Sequence, residues 1–311
     1  MTAPLRPVQF LARRLTQGQR GHLAMLAFSA LVAGSFSLGS MAAPFVDPAA
    51  LTALRFLLAG AIVGVAALAT NGISRRSFAA PWRYGVLGTL LAVYFVLMFE
   101  GLKTADPVST AAVFTLTPIM AAGFGWVLLG QLTTRRMAGG LMIGGVGALW
   151  VIFRANLSTL LAFEIGHGEV LFFWGCVAHA FYAPLVRKLN RGEPAVVFTF
   201  GMMVAGFALL TVWGWGAIVA TNWAGLPGIV WITLIYVAVA ASAVTFVLLQ
   251  YAALRLPSAK VMAYTYLTPS WVILWEIALG RAAPPGLILG GVALTVLALW
   301  LLLKDEDTGK A

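Results

Sequence analysis

Apolar residues run along this chain in ten long blocks separated by short polar breaks. The blocks cover residues 22–42, 48–70, 84–102, 107–129, 136–153, 169–187, 194–219, 227–254, 258–280 and 284–303. Each comes close to the ~20 residues that an α-helix needs to cross the hydrocarbon core of a bilayer. The breaks are short, so consecutive helices are expected to run antiparallel, and no break has room for a soluble domain. Thr221-Asn222-Trp223 is the mildest break, which leaves the seventh and eighth spans least sharply divided. The pattern predicts an all-α membrane protein of ten transmembrane helices.

Composition removes the alternatives. The 311 residues are 61% hydrophobic and 10% charged, against about 25% charged residues in a soluble domain. So little polar side chain cannot cover a soluble fold of this size. A soluble enzyme, a secreted disulfide module and a disordered tail are therefore excluded. The only cysteine, Cys176, lies inside an apolar block, so neither an intrachain disulfide nor a cysteine metal cluster is expected. No metal and no cofactor are anticipated. The first block is too long for the core of a signal peptide, although Ser40-Met41-Ala42-Ala43 resembles a small-residue cleavage site.

The net charge of +10 fixes an orientation. Basic residues occur in ones, twos and threes between the apolar blocks, which suits a bilayer topology better than a nucleic-acid face. With the N-terminus in the cytoplasm, sixteen Lys and Arg fall inside: Arg6, Arg13, Arg14, Arg20, Arg75, Arg76, Arg83, Arg135, Arg136, Arg187, Lys188, Arg191, Arg255, Lys260, Lys304 and Lys310. Only Lys103, Arg154 and Arg281 fall outside, and Arg55 lies within a span. Both termini are thus expected in the cytoplasm, with the chain in a bacterial plasma (inner) membrane.

The chain also repeats itself. Leu116-Thr117-Pro118 in the fourth span returns as Leu267-Thr268-Pro269 in the ninth, and at that offset residues 93–118 match 244–269 at eight of twenty-six positions. Gly140, Gly144 and Gly145 in the fifth span answer Gly286, Gly290 and Gly291 in the tenth. Ala43-Pro44 and Ala183-Pro184 give a fainter echo. Two copies of five helices must enter the bilayer from opposite sides, because five is odd, so the repeat is inverted. Such repeats carry substrate by alternating access around a midplane site. The expected organisation is a basic N-terminal arm (1–21), a first five-helix repeat (22–153), an extracytoplasmic linker (154–168), a second repeat (169–303) and a C-terminal tail (304–311).

These residues resemble a known family. Leu54-Arg55-Phe56-Leu57-Leu58, Gly101-Leu102, the two mid-helix Thr-Pro pairs and the glycine pairs of spans five and ten look like the EamA-domain members of the drug/metabolite transporter superfamily. The likeness covers about 22–303. Family repeats often carry Gly-Glu after the Thr-Pro helix, where this chain has Gly130-Gln131 and Gly280-Arg281, and no arginine of the second copy answers Arg55. The basic arm, aromatic-rich spans and length are most similar to the YddG-type exporters of aromatic amino acids. That resemblance implies a small-molecule substrate, the bilayer as surroundings, no nucleic acid, and a monomer or weak oligomer.

Candidate site residues follow from polar and aromatic groups at depth. Pro118 and Pro269 each free a backbone carbonyl, those of Phe114 and Thr265, and their equivalence between repeats marks them as hinge or site-lining positions. Arg55 and Glu100 are placed near the same surface, as a structural ion pair or with Arg55 free to clamp a substrate carboxylate. Glu276 is expected to meet either an amino group or Arg281. His179, the one histidine deep in a span, shares a face with Tyr182, and Trp174 is aligned with Tyr182 eight residues on. Tyr264, Trp271 and Trp275 fall on one face of the ninth span, with Tyr266 beside them, as core packing or as ring faces for a substrate. Tyr94, Ser37 and Ser40 complete the candidates. Spans five and ten are assigned to packing through Gly140-x-x-x-Gly144 and Gly286-x-x-x-Gly290.

The sequence thus predicts export of small amphipathic metabolites, chiefly aromatic amino acids, through a cavity lined by spans one, three, four, six, eight and nine. A different cargo, such as a cationic drug or another amino acid, is the alternative. An intramembrane enzyme is a distant third, because no H-E-x-x-H, G-x-S-x-G or cysteine-based site is present.

Overall fold

A computed structural model describes residues 16–70, 72–161 and 165–303. Arg6, Arg13 and Arg14 of the basic arm, residues 162–164 of the linker, and Lys304 and Lys310 lie outside the described residues. All ten apolar blocks are helical. In chain order the helices are α1 (Gln17–Ala42), α2 (Pro48–Thr70), α3 (Trp82–Gly101), α4 (Pro107–Phe114), α5 (Thr117–Leu129), α6 (Arg135–Ile152), α7 (Leu157–Leu161), α8 (His167–Leu189), α9 (Ala195–Trp213), α10 (Trp215–Ala220), α11 (Gly228–Ala238), α12 (Thr245–Ala253), α13 (Ser258–Ala263), α14 (Thr268–Ala278) and α15 (Gly286–Leu303). Among the described residues, eight segments are long and apolar enough to cross a membrane, with α4–α5 and α11–α12 each counted as one. The two that fall short are α6, diluted by two arginines and five glycines, and α13–α14, broken and rich in polar residues.

Local chemistry sets the helix ends. Thr16 and Gln19 form a capping box at the start of α1, each side chain meeting the other's backbone N–H. Asp106 caps α4, with Pro107 following where no N–H is needed. Gly130 ends α5 in the left-handed conformation, φ 66°, which a residue with a Cβ resists.

The two Thr-Pro sites differ from the expected kink. Neither proline bends a continuous helix. The fourth span stops at Phe114 and restarts at Thr117, and the ninth stops at Ala263, passes through a 3-10 turn Tyr264–Leu267 and restarts at Thr268. Pro118 and Pro269 therefore stand in the first turn of a new helix, where the missing N–H costs nothing. The Thr117 hydroxyl donates to the freed Phe114 carbonyl at 2.7 Å, and the Thr268 N–H reaches the Thr265 carbonyl.

The helices pack in an orderly scheme. At the centre, α1 lies against α12 and α14, and α8 lies against α3 and α5. Helix α4 meets α14 while α5 meets α13. Outside this group, α2 pairs with α9 and α6 with α15. The outermost faces carry large apolar side chains such as Val65, Trp126, Val212 and Leu287, as lipid-facing surfaces should.

The α6–α15 seam is tighter than, and offset from, the expected glycine match. A Cβ on Gly147 would stand 2.6 Å from the Gly291 carbonyl, and one on Gly291 would stand 2.8 Å from that of Gly147. Gly286 and Gly290 face open space, and Gly144 accommodates the Tyr266 ring. On the side where α1 begins, Arg83 forms an ion pair with Glu193 at 2.6 Å and donates to the Leu189 carbonyl, tying α3 to the α8–α9 loop.

Candidate functional site

Side chains from α1, α3, α4 and α8 converge on His179. Its ring is 1% exposed and sits 4.5 Å from Tyr94, 5.2 Å from Phe114, 6.3 Å from Tyr182 and 6.5 Å from Phe28, centroid to centroid. Phe172 closes against Tyr94 and Phe114, and Phe36 against Phe172 and Phe114. The break after Phe114 matters here, because that ring sits on the last residue before the chain turns. The result is an aromatic box at the crossing of both five-helix groups.

The polar atoms inside it lack partners. Tyr94 Oη and His179 Nδ1 are buried without a hydrogen bond among the described residues, as is Ser37 Oγ, next to Phe36 in α1. The same holds for Thr245 Oγ1, Gln250 Oε1 and Arg55 Nη1. Each such group costs about 1–3 kcal/mol if left unsatisfied. Tyr182 differs: it donates to Met202 Sδ at 3.0 Å and accepts from Gln250 Nε2 at 3.2 Å.

Arg55 is 0% exposed, and the expected ion pair with Glu100 does not form. Its Nε donates to Ser242 Oγ at 2.5 Å, its Nη2 donates to the Ala241 carbonyl at 2.6 Å, and the guanidinium stacks 3.5 Å from the Phe95 centroid. Both acceptors lie in a π-turn, Val239–Val244, whose wider hydrogen-bond spacing makes room at the backbone. Glu100 instead takes Lys103 at 2.7 Å. The reason is rotation: Phe95 faces Arg55, and Glu100 stands five residues on, roughly 140° round the helix. Dipoles and a ring thus hold the cation, leaving one N–H edge free.

Other expected residues are redistributed. Trp174 is 60% exposed on the outer surface of the bundle, away from the box, since eight residues are about 80° out of register with Tyr182. The ninth-span aromatics do share one side, but that side is a seam with α1 and α11. Tyr264 Oη bonds His22 Nδ1 at 3.0 Å, Trp271 donates to Ser29 Oγ at 3.2 Å, and Trp275 packs edge-on against Tyr236. Tyr266 turns the other way, toward Leu141. Ser40 donates to the Ser37 carbonyl, so Ser37 rather than Ser40 keeps a free hydroxyl. Glu276 takes Arg281 at 2.7 Å.

Sequence reasoning missed Phe28, Phe36, Phe114 and Phe172, which wall the box, and Gln250, which bonds Tyr182 beside it. Gln250 carried a usable signal, being an amide in the middle of an apolar block. The phenylalanines carried none, because a Phe in a span is ordinary packing.

Comparison with known proteins supplies the wider setting. The EamA-like transporter family matches the chain twice, over residues 19–153 and 166–304. The chain is 26% identical over 295 residues to the aromatic amino acid exporter YddG of Ancylobacter novellus, covering 89% of this chain and 96% of that one. It is 28% identical over 194 residues to the uncharacterized transporter YyaM of Bacillus subtilis, covering 61% of this chain and 64% of that protein's length. A crystal structure that is 22% identical superposes with a TM-score of 0.70, covering 95% of this chain and 99% of its own, and shares the fold.

Proposed function

The chain belongs to the EamA-like transporter family, multi-pass membrane transporters rather than enzymes, and from that premise we propose that it exports small amphipathic metabolites, aromatic amino acids foremost. The observation that carries this reading is the aromatic box around His179 with its unpartnered Tyr94 hydroxyl and His179 Nδ1. Ring faces suit an aromatic cargo, and the free polar atoms suit its charged end. The free Nη1 edge of Arg55 is the group offered to a carboxylate. The name of the YddG relative agrees with that cargo.

Alternating access needs two inverted units, and the packing favours them. The first half of one broken helix, α4, meets the second half of the other, α14, while α5 meets α13. That exchange is what a two-fold axis in the membrane plane requires. Likewise the contact of α3 with α8 is answered by that of α12 with α1. Pro118 and Pro269 start the second halves of these crossing helices and serve as hinges. The excess of Lys and Arg on the side where α1 begins supports cytoplasmic termini and residence in a bacterial plasma membrane.

The test is purified protein in liposomes loaded with labelled phenylalanine, tryptophan or a non-aromatic amino acid. The two aromatic amino acids are expected to leave faster than the third. Equal flux for all three, or none, overturns the reading.

A further inference from the structure

The end of the bundle opposite the start of α1 holds a second constellation, carried by the outer ends of α4 and α8, which also supply the aromatic box, and by α14. Two cavities of about 370 and 430 Å³ adjoin there, and Arg154 lines both. Asp106, Ser109 and Glu276 line the first, and Glu169 lines the second. Ser109 Oγ donates to Glu169 Oε1 at 2.9 Å, so the two cavities share a wall.

Glu276 is the group that the protein leaves incomplete. It is 6% exposed, and its Oε2 accepts from Arg281 Nη1 at 2.7 Å. Its Oε1 is buried without a partner among the described residues. Asp106 uses Oδ1 to cap α4, accepting from the N–H of Val108 at 2.8 Å. Three carboxylates, Asp106, Glu169 and Glu276, thus stand against two guanidiniums, Arg154 and Arg281, a local excess of one negative charge among the described residues. A buried carboxylate oxygen that lacks a donor, on the wall of a negatively biased cavity, is complementary to a cationic N–H group.

We propose that this vestibule binds a primary ammonium group, with Glu276 Oε1 as acceptor and Asp106 as the second anion, in competition with Arg281. For a transported amino acid it is a station for the amino end on the way between the aromatic box and the aqueous phase. Binding itself does not depend on the export reading.

Equilibrium binding to protein in nanodiscs tests it, read by calorimetry with phenethylamine as the probe and 3-phenylpropionate as the carboxylate-only control. Wild-type protein is expected to bind phenethylamine, and Glu276→Gln to weaken that binding at least tenfold without altering the control. Arg281→Gln breaks the same ion pair but shifts the local charge the other way, so it is expected to tighten phenethylamine binding severalfold. If both substitutions weaken binding alike, the pair is only structural and the proposal fails. It also fails if Glu276→Gln leaves phenethylamine binding unchanged, or if wild-type protein binds none. Should Glu276→Gln not fold, the Arg281→Gln arm decides alone, with unchanged or weaker binding overturning the site. Amine binding that persists in protein that moves no aromatic amino acid overturns the export reading and leaves this site standing.

Discussion

The hydroxyls of Thr117 and Thr265 lie 3.1 Å apart, where the broken helices of the two halves cross. The same Thr117 hydroxyl caps the Phe114 carbonyl released by the break, whereas Thr268, its equivalent in the second half, has a buried hydroxyl with no partner. The repeat is therefore symmetric in sequence and asymmetric in bonding. Thr117→Val is expected to lower stability by about 1–3 kcal/mol, because it strands a buried carbonyl. Thr268→Val is expected to leave stability unchanged or raise it slightly. Thermal unfolding of both variants in detergent checks the contrast, and equal losses contradict it.

Tyr94 tests whether the unpartnered polar atoms of the aromatic box are kept for a ligand at a cost in stability. Its hydroxyl is buried and unbonded, while its ring packs on His179. Tyr94→Phe keeps the ring and removes the orphan, so stability is expected to rise by about 1 kcal/mol. Transport is expected to suffer, with KM for phenylalanine rising about tenfold, the equivalent of 1.4 kcal/mol. A variant that is less stable and transports normally contradicts the assignment.

One substitution separates the structural hold of Arg55 from its proposed contact with a substrate carboxylate. Lysine keeps the charge but loses the planar stacking on Phe95 and the fork that spans Ser242 and Ala241. Arg55→Lys is expected to cost about 2 kcal/mol of stability, combining a lost cation–π contact with a lost charge-assisted hydrogen bond. The ratio of KM values for phenylalanine and phenethylamine is expected to move against phenylalanine, which alone carries the carboxylate. If both KM values rise in proportion, Arg55 only fastens α2 to the π-turn.

Glu193 gives the fold a defined acid sensitivity. Burial alone pushes its carboxyl pKa up, but hydrogen bonds from Arg83 and from the Arg191 backbone N–H, with the Arg83 charge, outweigh that and hold it below the ordinary carboxylate value. A group depressed in the folded state stabilises fully above its unfolded pKa, and loses that stabilisation as pH falls through the folded value. With the side chain only 7% exposed, removing its charge leaves Arg83 with backbone carbonyls as its only acceptors. Glu193→Gln is expected to destabilise the protein by about 1.5–3 kcal/mol at neutral pH, the worth of a charge-assisted hydrogen bond. It is also expected to flatten the fall in melting temperature as pH drops through the ordinary carboxylate range, about pH 4, and below it. An unchanged acid profile contradicts this.

The ten helical blocks were legible because a span needs an apolar run of fixed length, whereas the short helix α7 in the linker has no such run to betray it. The repeat was legible through Leu-Thr-Pro, since few other motifs recur intact at one offset. Side-chain placement was less so. Trp174 and Glu100 were misplaced because a few residues of helix rotate a side chain out of a site, and sequence spacing alone does not say where the site lies. Arg55 found no carboxylate because a π-turn supplied its acceptors, and π-turns leave no mark in hydropathy. The ninth-span aromatics were correctly grouped on one face, but only the packed fold reveals that α1 covers it.

The position of the cargo itself is most directly measured by an experimental structure of the protein in nanodiscs with 4-iodophenylalanine bound, the iodine located by anomalous or electron scattering. The expected result is a ring among Tyr94, Phe114 and His179 with its carboxylate toward Arg55. An iodine seated only in the vestibule beside Glu276, or only on the lipid-facing surface near Trp174, contradicts the aromatic box as the central site.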